Sequence, residues 1–383
     1  MRNSKIGLLP MYVKLYDIST PQMRPRINAF HALIAERLAA SGLDVKNTDV
    51  CRTEDEFDKA VRFFENEDVD AIVTLHLAYS PSLESAQVLC GTKLPLIVLD
   101  TTQDFVFDDQ TPAEAMLYNH GIHGVQDMCT LLKKNGKEYQ IFAGHMDHSD
   151  VVARVVAAAL GAKLAAALRH AKVGTIGGIY DGMGDFRVPY DRMKKELGAE
   201  VAVFDTVAAK KAFFEITEEE VDGICKENQE MFRLVSGSEE LLRADARFAA
   251  VVRHWIEKEG LTAFTQNFLM AFRDTGFPYA PFIEACKAMG RGIGYAGEGD
   301  VLTAALVGAL MSVYKDTAFV EMFCPDWEGN TIYLSHLGEL NPNLTVSPAR
   351  ICLKALPYPN VNEYVGLAGT YRAGKGVYAS LAP

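Results

Sequence analysis

The stretch GIGYAGEGDVLTAAL, Gly292 to Leu306, opens with a literal GxGxxG and carries an acidic pair, Glu298 and Asp300, just behind it. Its reading decides whether the surrounding α/β pattern is a dinucleotide-binding fold. Such a turn needs a strand directly before its first glycine, so that a helix N-terminus faces the pyrophosphate. Here the preceding PFIEACKAMGRG has helical rather than strand spacing. The helix entered at EGDVLTAALVGALM would also put Glu298 and Asp300 where the phosphate belongs, and like charges in a water-excluding site repel strongly. The alternative is that the glycines bend the backbone tightly around a cation. Asp300 is then the expected N-cap of the following helix, favoured by its dipole, and Glu298 is free to point into a cavity. Taken alone, GEGD fits a solvated loop equally well.

Outward from this stretch, the chain alternates strand-like and helical patterns. KIGLLP (5–10), DAIVTLHL (70–77), LPLIVLD (94–100) and YQIFAGH (139–145) read as strands, with helical stretches such as RINAFHALIAERLAASG between them. Continuous apolar strands alternating with helices predict an α/β fold with a doubly wound parallel sheet, here over residues 1–171. The Ala-rich SDVVARVVAAALGAKLAAALRH (149–170) is expected to be buried over much of its face. A second, Rossmann-like α/β domain is expected over 172–317, from KVGTIGGIYDGMGDF and EVAVFD onward. AFVEMF, TIYLSHL and ARICLKAL, separated by turn residues, predict an antiparallel β domain over 318–383.

The 383 residues suit more than one core. A formal net charge of −12 argues against a nucleic-acid backbone or an anionic membrane surface as partner. Seven scattered cysteines without a CxxC pair fit a reducing compartment. With no signal peptide pattern and no run of about 18 apolar residues, a cytoplasmic protein is expected.

Two residues change the odds for GEGD. Glu321 is embedded in the apolar AFVEMF, and His336 shares a strand face with Ile332 and Leu334 in TIYLSHL. If DWEGN closes a hairpin with Glu328-Gly329 as a two-residue turn, Glu321 and His336 become opposite neighbours. A buried carboxylate needs a compensating cation. Two Glu and one His form a mixed oxygen and nitrogen set suited to Mn²⁺ or a similar divalent ion, which can hold sugar oxygens while a carboxylate shuttles a proton.

GEGDVLTAAL from Gly297, EMFCPDWEGN from Glu321, LSHLGELNP and NHGIHGVQDM from Asn119 together resemble the L-arabinose isomerase family, whose cousin L-fucose isomerase shares the architecture. The resemblance spans nearly the whole chain and is weak between about 205 and 260. It implies that Glu298 and Glu321 bind Mn²⁺ (or Co²⁺ or Mg²⁺) and act as acid and base, that His336 is a ligand, and that His123 reaches a neighbouring subunit's site. It further implies aldose–ketose isomerisation through a cis-enediol, L-arabinose to L-ribulose leading, in a homo-oligomer with sites between subunits. The family carries a further ligand histidine downstream, whereas this chain has no His after His336. The C-terminal β domain is therefore expected to be incomplete, and a catalytically silent sugar-binding paralogue is the alternative.

Other candidates are weaker. His120, His123 and Asp127 could share a helical face as a second metal site, with substrate contact by His123 the preferred reading. GHMDHSD places His145, Asp147, His148 and Asp150 at a strand end, where ligands bind, although Ser149 or Asp150 could simply cap the next helix. Met183, in GGIYDGMGDF, belongs to a substrate-covering loop or a plain turn, and a substrate contact is expected of it.

Overall fold

The computed structural model describes residues 3–269, 280–355 and 363–383. The chain divides into two compact units, Met1–Ala166 and Ala167–Pro383. The first is built on five strands, β1 (Lys5–Met11), β2 (Asp44–Asn47), β3 (Ala71–His76), β4 (Leu96–Asp100) and β5 (Tyr139–Ala143). They pair in the order β2-β1-β3-β4-β5, all parallel. Helices cover both faces, as a parallel sheet requires. Ile27, Phe30, Ile34 and Leu38 of helix Arg24–Ala40 pack on one face with Val151, Val155 and Ala159. Phe57, Val61 and Phe64 pack on the other with Val125, Met128 and Leu132.

The four strands expected from apolar runs are all present. The polar edge strand β2, DVKN, has no such run and was not legible. Helix Val151–Arg169 is less buried than the expected cover over much of its face: only Val151, Val155, Ala159, Ala162 and Lys163 are buried, a single stripe. It is also long and apolar enough to cross a membrane by length and composition, which corrects the sequence reading. Arg154 and Lys163 interrupt it, and its buried stripe belongs to the first unit's core.

The second unit carries β6 (Lys172–Ile176), β7 (Glu200–Val203), a two-residue β8 (Arg233–Leu234), β9 (Ala263–Gln266) and β10 (Gly294–Ala296). Four of these form a parallel sheet in the order β10-β9-β6-β7. The chain moves from β6 to β7 on one side and returns to β9 on the other. The strand order therefore reverses between β6 and β9, and ligands bind outside the carboxyl ends of strands at such a point. Gly294–Ala296 lies inside the glycine run read as a turn, and it is a strand. The turn is confined to 297–300, between β10 and helix Val301–Val313.

β11 (Glu321–Asp326) and β12 (Thr331–Ser335) form an antiparallel hairpin of their own. β13 (Arg350–Lys354) pairs antiparallel with β14 (Tyr364–Ala368), while its other edge takes β8 in parallel. The expected antiparallel sheet after residue 317 is thus a lone hairpin plus a mixed three-stranded sheet. β8 joins through Arg233 N–H to Ala349 O and Val235 N–H to Ile351 O, at 2.9 and 3.0 Å.

Candidate metal centre

The turn after β10 is held from three directions. The Thr265 hydroxyl donates to Gly297 O and accepts from Gly299 N–H, both at 3.1 Å. Tyr180 N–H donates to Glu298 O at 2.9 Å, so the loop after β6 lies against it. Asp300 accepts from Thr303 N–H at 2.9 Å as the helix N-cap, as its position predicts. Burial raises its pKa and the cap hydrogen bonds oppose the rise. Glu298 takes a left-handed backbone, φ +54°, and is 9% exposed.

A Cβ at Gly299 would stand 2.2 Å from Gly178 O, and one at Gly297 would stand 2.9 Å from His336 Cε1. The two glycines therefore permit close approach, one by the β6 loop and one by the imidazole, rather than a nucleotide.

Across the turn, the hairpin corrects the predicted register. Asp326↔Thr331, Pro325↔Ile332 and Cys324↔Tyr333 follow the expected pairing, but the register shifts between Met322 and Cys324, and Glu321 pairs with Ser335. The connection is a four-residue turn, Trp327–Asn330, with Asn330 left-handed, instead of a two-residue one. Phe323 is the extra residue of a β-bulge, which slides Glu321 by one position. His336 stands just past the end of β12.

Even so, the two side chains meet. His336 Nε2 lies 3.5 Å from Glu298 Oε1 and 3.9 Å from Glu321 Oε1. Donor atoms of Glu298, Glu321 and His336 all lie within 4.8 Å of one another, and no other such group exists among the described residues. Phe319 packs edge-on against the imidazole at 4.9 Å. Glu321 is the open side of the cluster, its side chain 43% exposed against 4% for His336.

Burial raises the Glu321 pKa; His336 opposes this and Glu298 reinforces it. Burial alone would lower the imidazole's pKa. Glu339 and Glu298 outweigh it and hold His336 well above its ordinary value. Two carboxylate oxygens and one imidazole nitrogen at this spacing suit Mn²⁺, Co²⁺ or Mg²⁺, and no thiol is among them.

The sequence reading missed the groups behind the cluster. Glu339 accepts from His336 Nδ1 at 2.7 Å, and the Tyr295 hydroxyl donates to its other oxygen at 2.7 Å. The HxxE spacing in SHLGE is the one signal that could have pointed to Glu339.

Other predicted residues are not among the cluster's donors. Met183 sits in the loop after β6, 39% exposed, its N–H on Tyr180 O. His123 is exposed on helix Gly121–Lys134 of the first unit, its ring 5.8 Å from that of His120. His120 bonds Tyr16, and Asp127 accepts from Ser82 N–H, so His120, His123 and Asp127 form no metal group. His145 and His148 pack around Phe105, and Ser149 accepts from Val151 N–H.

A model of the L-arabinose isomerase central domain matches residues 191–316, which includes the stretch where the sequence resemblance was weak. The L-arabinose isomerase of Halalkalibacterium halodurans is 28% identical, over 82% of this chain and 65% of that protein. That of Oceanobacillus iheyensis is 26% identical, over 82% and 68%. The Bacillus subtilis protein of the same name is 26% identical, over 81% and 64%. The chain spans about two-thirds of the length of these relatives.

Proposed function

We infer that this chain belongs to the L-arabinose isomerase family and is a metal-dependent aldose–ketose isomerase acting on a free sugar, with L-arabinose to L-ribulose the leading case; the family-model match and the similar relatives support this. The observation that carries this reading is the meeting of Glu298, Glu321 and His336 at one point. These three would hold the ion. When bound, it supplies Lewis-acid polarisation to adjacent sugar oxygens.

The proton work belongs to the chain. Isomerisation through a cis-enediol moves one proton from C2 to C1 and one from the C2 hydroxyl to the C1 oxygen, and needs a carboxylate that can take the carbon proton and give it back. Glu321 suits that role because it lies on the open side of the cluster. Glu298, on a pinned backbone, is fixed in place and serves as the second carboxylate. His123 and Met183 are assigned as sugar contacts. The working form is a cytoplasmic homo-oligomer with sites between subunits.

The test is to incubate purified protein with Mn²⁺ and a panel of aldoses and assay for ketose. Turnover is expected, with loss of at least about 100-fold in Glu321→Gln and an unchanged circular dichroism spectrum. An unchanged rate in that variant would remove the mechanism. Binding of metal and sugar without any ketose would favour a silent sugar-binding protein.

A further inference from the structure

We propose that Glu339 and Tyr295 form a positioning relay that locks His336 in the tautomer and orientation the ion requires. This rests on the metal-centre reading of Glu298, Glu321 and His336. A neutral imidazole has one proton for two nitrogens, and the partner of one nitrogen decides which face is left with a lone pair. Glu339 Oε2 takes the Nδ1 side of His336 at 2.7 Å. Nε2 is thereby the nitrogen turned to Glu298 and Glu321.

Glu339 is 5% exposed and Tyr295 is fully buried. A carboxylate so placed is strongly disfavoured unless donors satisfy both oxygens. The Tyr295 hydroxyl satisfies the second oxygen, and among the described residues no lysine or arginine is ion-paired with Glu339. The pair therefore has one arrangement, set by the hydroxyl on one side and the imidazole on the other.

The surrounding chain fixes that arrangement. Tyr295 sits in β10, three residues before Glu298, so the strand that delivers one ligand also anchors the group behind another. The segment between His336 and Glu339 is held independently. Tyr364 donates to Leu337 O at 2.9 Å, and Cys286 Sγ donates to Gly338 O at 3.6 Å while accepting from Leu340 N–H at 3.2 Å. Removing the Tyr295 hydroxyl alone leaves its ring packing on Phe264 and Phe319 in place.

The experiment is a Mn²⁺ titration, followed by the electron paramagnetic resonance of the free ion, on wild type, Glu339→Gln and Tyr295→Phe. Metal-free melting curves accompany it, with ¹⁵N-histidine NMR of the Mg²⁺-loaded proteins. Glu339→Gln is expected to weaken Mn²⁺ binding by about 10–100-fold. Tyr295→Phe is expected to weaken it in the same direction by less, with a lower metal-free melting temperature, because one buried oxygen of Glu339 loses its donor. In wild type the His336 Nδ1 proton should lie far downfield, and it should move upfield in Glu339→Gln. Wild-type protein that takes up no Mn²⁺ would overturn the metal centre itself. Tight binding by wild type and by both variants, with the His336 signal unmoved, would overturn the relay and leave the metal centre standing. Should Glu339→Gln fail to fold, affinity and NMR signal in Tyr295→Phe decide the matter.

Discussion

Glu298 holds a left-handed backbone at φ +54°, a conformation that disfavours an L side chain by about 1–2 kcal/mol. Its carboxylate also stands beside that of Glu321, whose pKa it helps to raise. These features oppose folding, while the contact with His336 at 3.5 Å favours it, so stability alone does not account for this side chain. Glu298→Gly should therefore change metal-free melting little, while Mn²⁺ affinity falls by at least about 10-fold, a ligand lost outright exceeding the usual outer-shell effect. A clear drop in melting temperature with metal binding intact would contradict this. At this scale the sequence was informative: an acidic residue between glycines, a Glu in an apolar strand and a His on a strand face pointed to one cluster. Glu339 and Tyr295 escaped notice because a buried carboxylate next to a conventional apolar pattern carries no signal until its partners are known.

At the scale of elements, the hairpin and the β10 turn deliver side chains from distant parts of the chain to one place. The hairpin's centre was legible from DWEGN, and three pairs follow it. The bulge at Phe323 was not, because an extra residue in one strand leaves no mark on an alternating pattern. The cluster survives the slip because His336 lies beyond β12, where side-chain direction no longer follows strand alternation. β10 was missed for a related reason: a three-residue strand with a glycine offers too little period to read. The turn depends on Thr265, whose hydroxyl serves one carbonyl and one N–H. Thr265→Val keeps the shape and takes the partner from Gly299 N–H, at about 1–3 kcal/mol, while Gly297 O keeps the Asp300 N–H at 3.0 Å. Urea unfolding should show a destabilisation of that order, with weaker Mn²⁺ binding. A variant matching wild type in both would show that the hydroxyl does not hold the turn.

Across the whole molecule, most of the parallel strands announced themselves as apolar runs, β2, β9 and β10 excepted, whereas strand order, the switch point and the buried ion network of the second unit come from long-range pairing. That network links three helices. Lys287 bonds Glu227 and Asn228 at 2.6 and 2.9 Å, and Arg253 pairs with Glu284 at 2.8 Å. Asp245, 2% exposed beside them, has no hydrogen-bond partner for Oδ2 among the described residues. Burial pushes its pKa up to about 8, with Lys287 opposing and Glu284 adding to the shift. Its folded pKa thus exceeds the value of about 3.9 expected when unfolded. Between those values the folded protein keeps a proton the unfolded chain has lost, so this group's contribution to stability declines as pH rises from about 4 to about 8 and levels off above. Asp245→Asn removes the decline. Urea unfolding at pH 5, 6 and 7 should show the variant gaining on wild type by on the order of 1 kcal/mol per pH unit. A constant gap would mean that Asp245 does not titrate this way.

All of these expectations converge on whether one divalent ion sits among Glu298, Glu321 and His336. Anomalous scattering from crystals grown with Mn²⁺ answers that directly. A single strong manganese peak bonded to all three side chains is the expected result. A peak that touches none of them, or no peak at a concentration that supports turnover, would contradict the account.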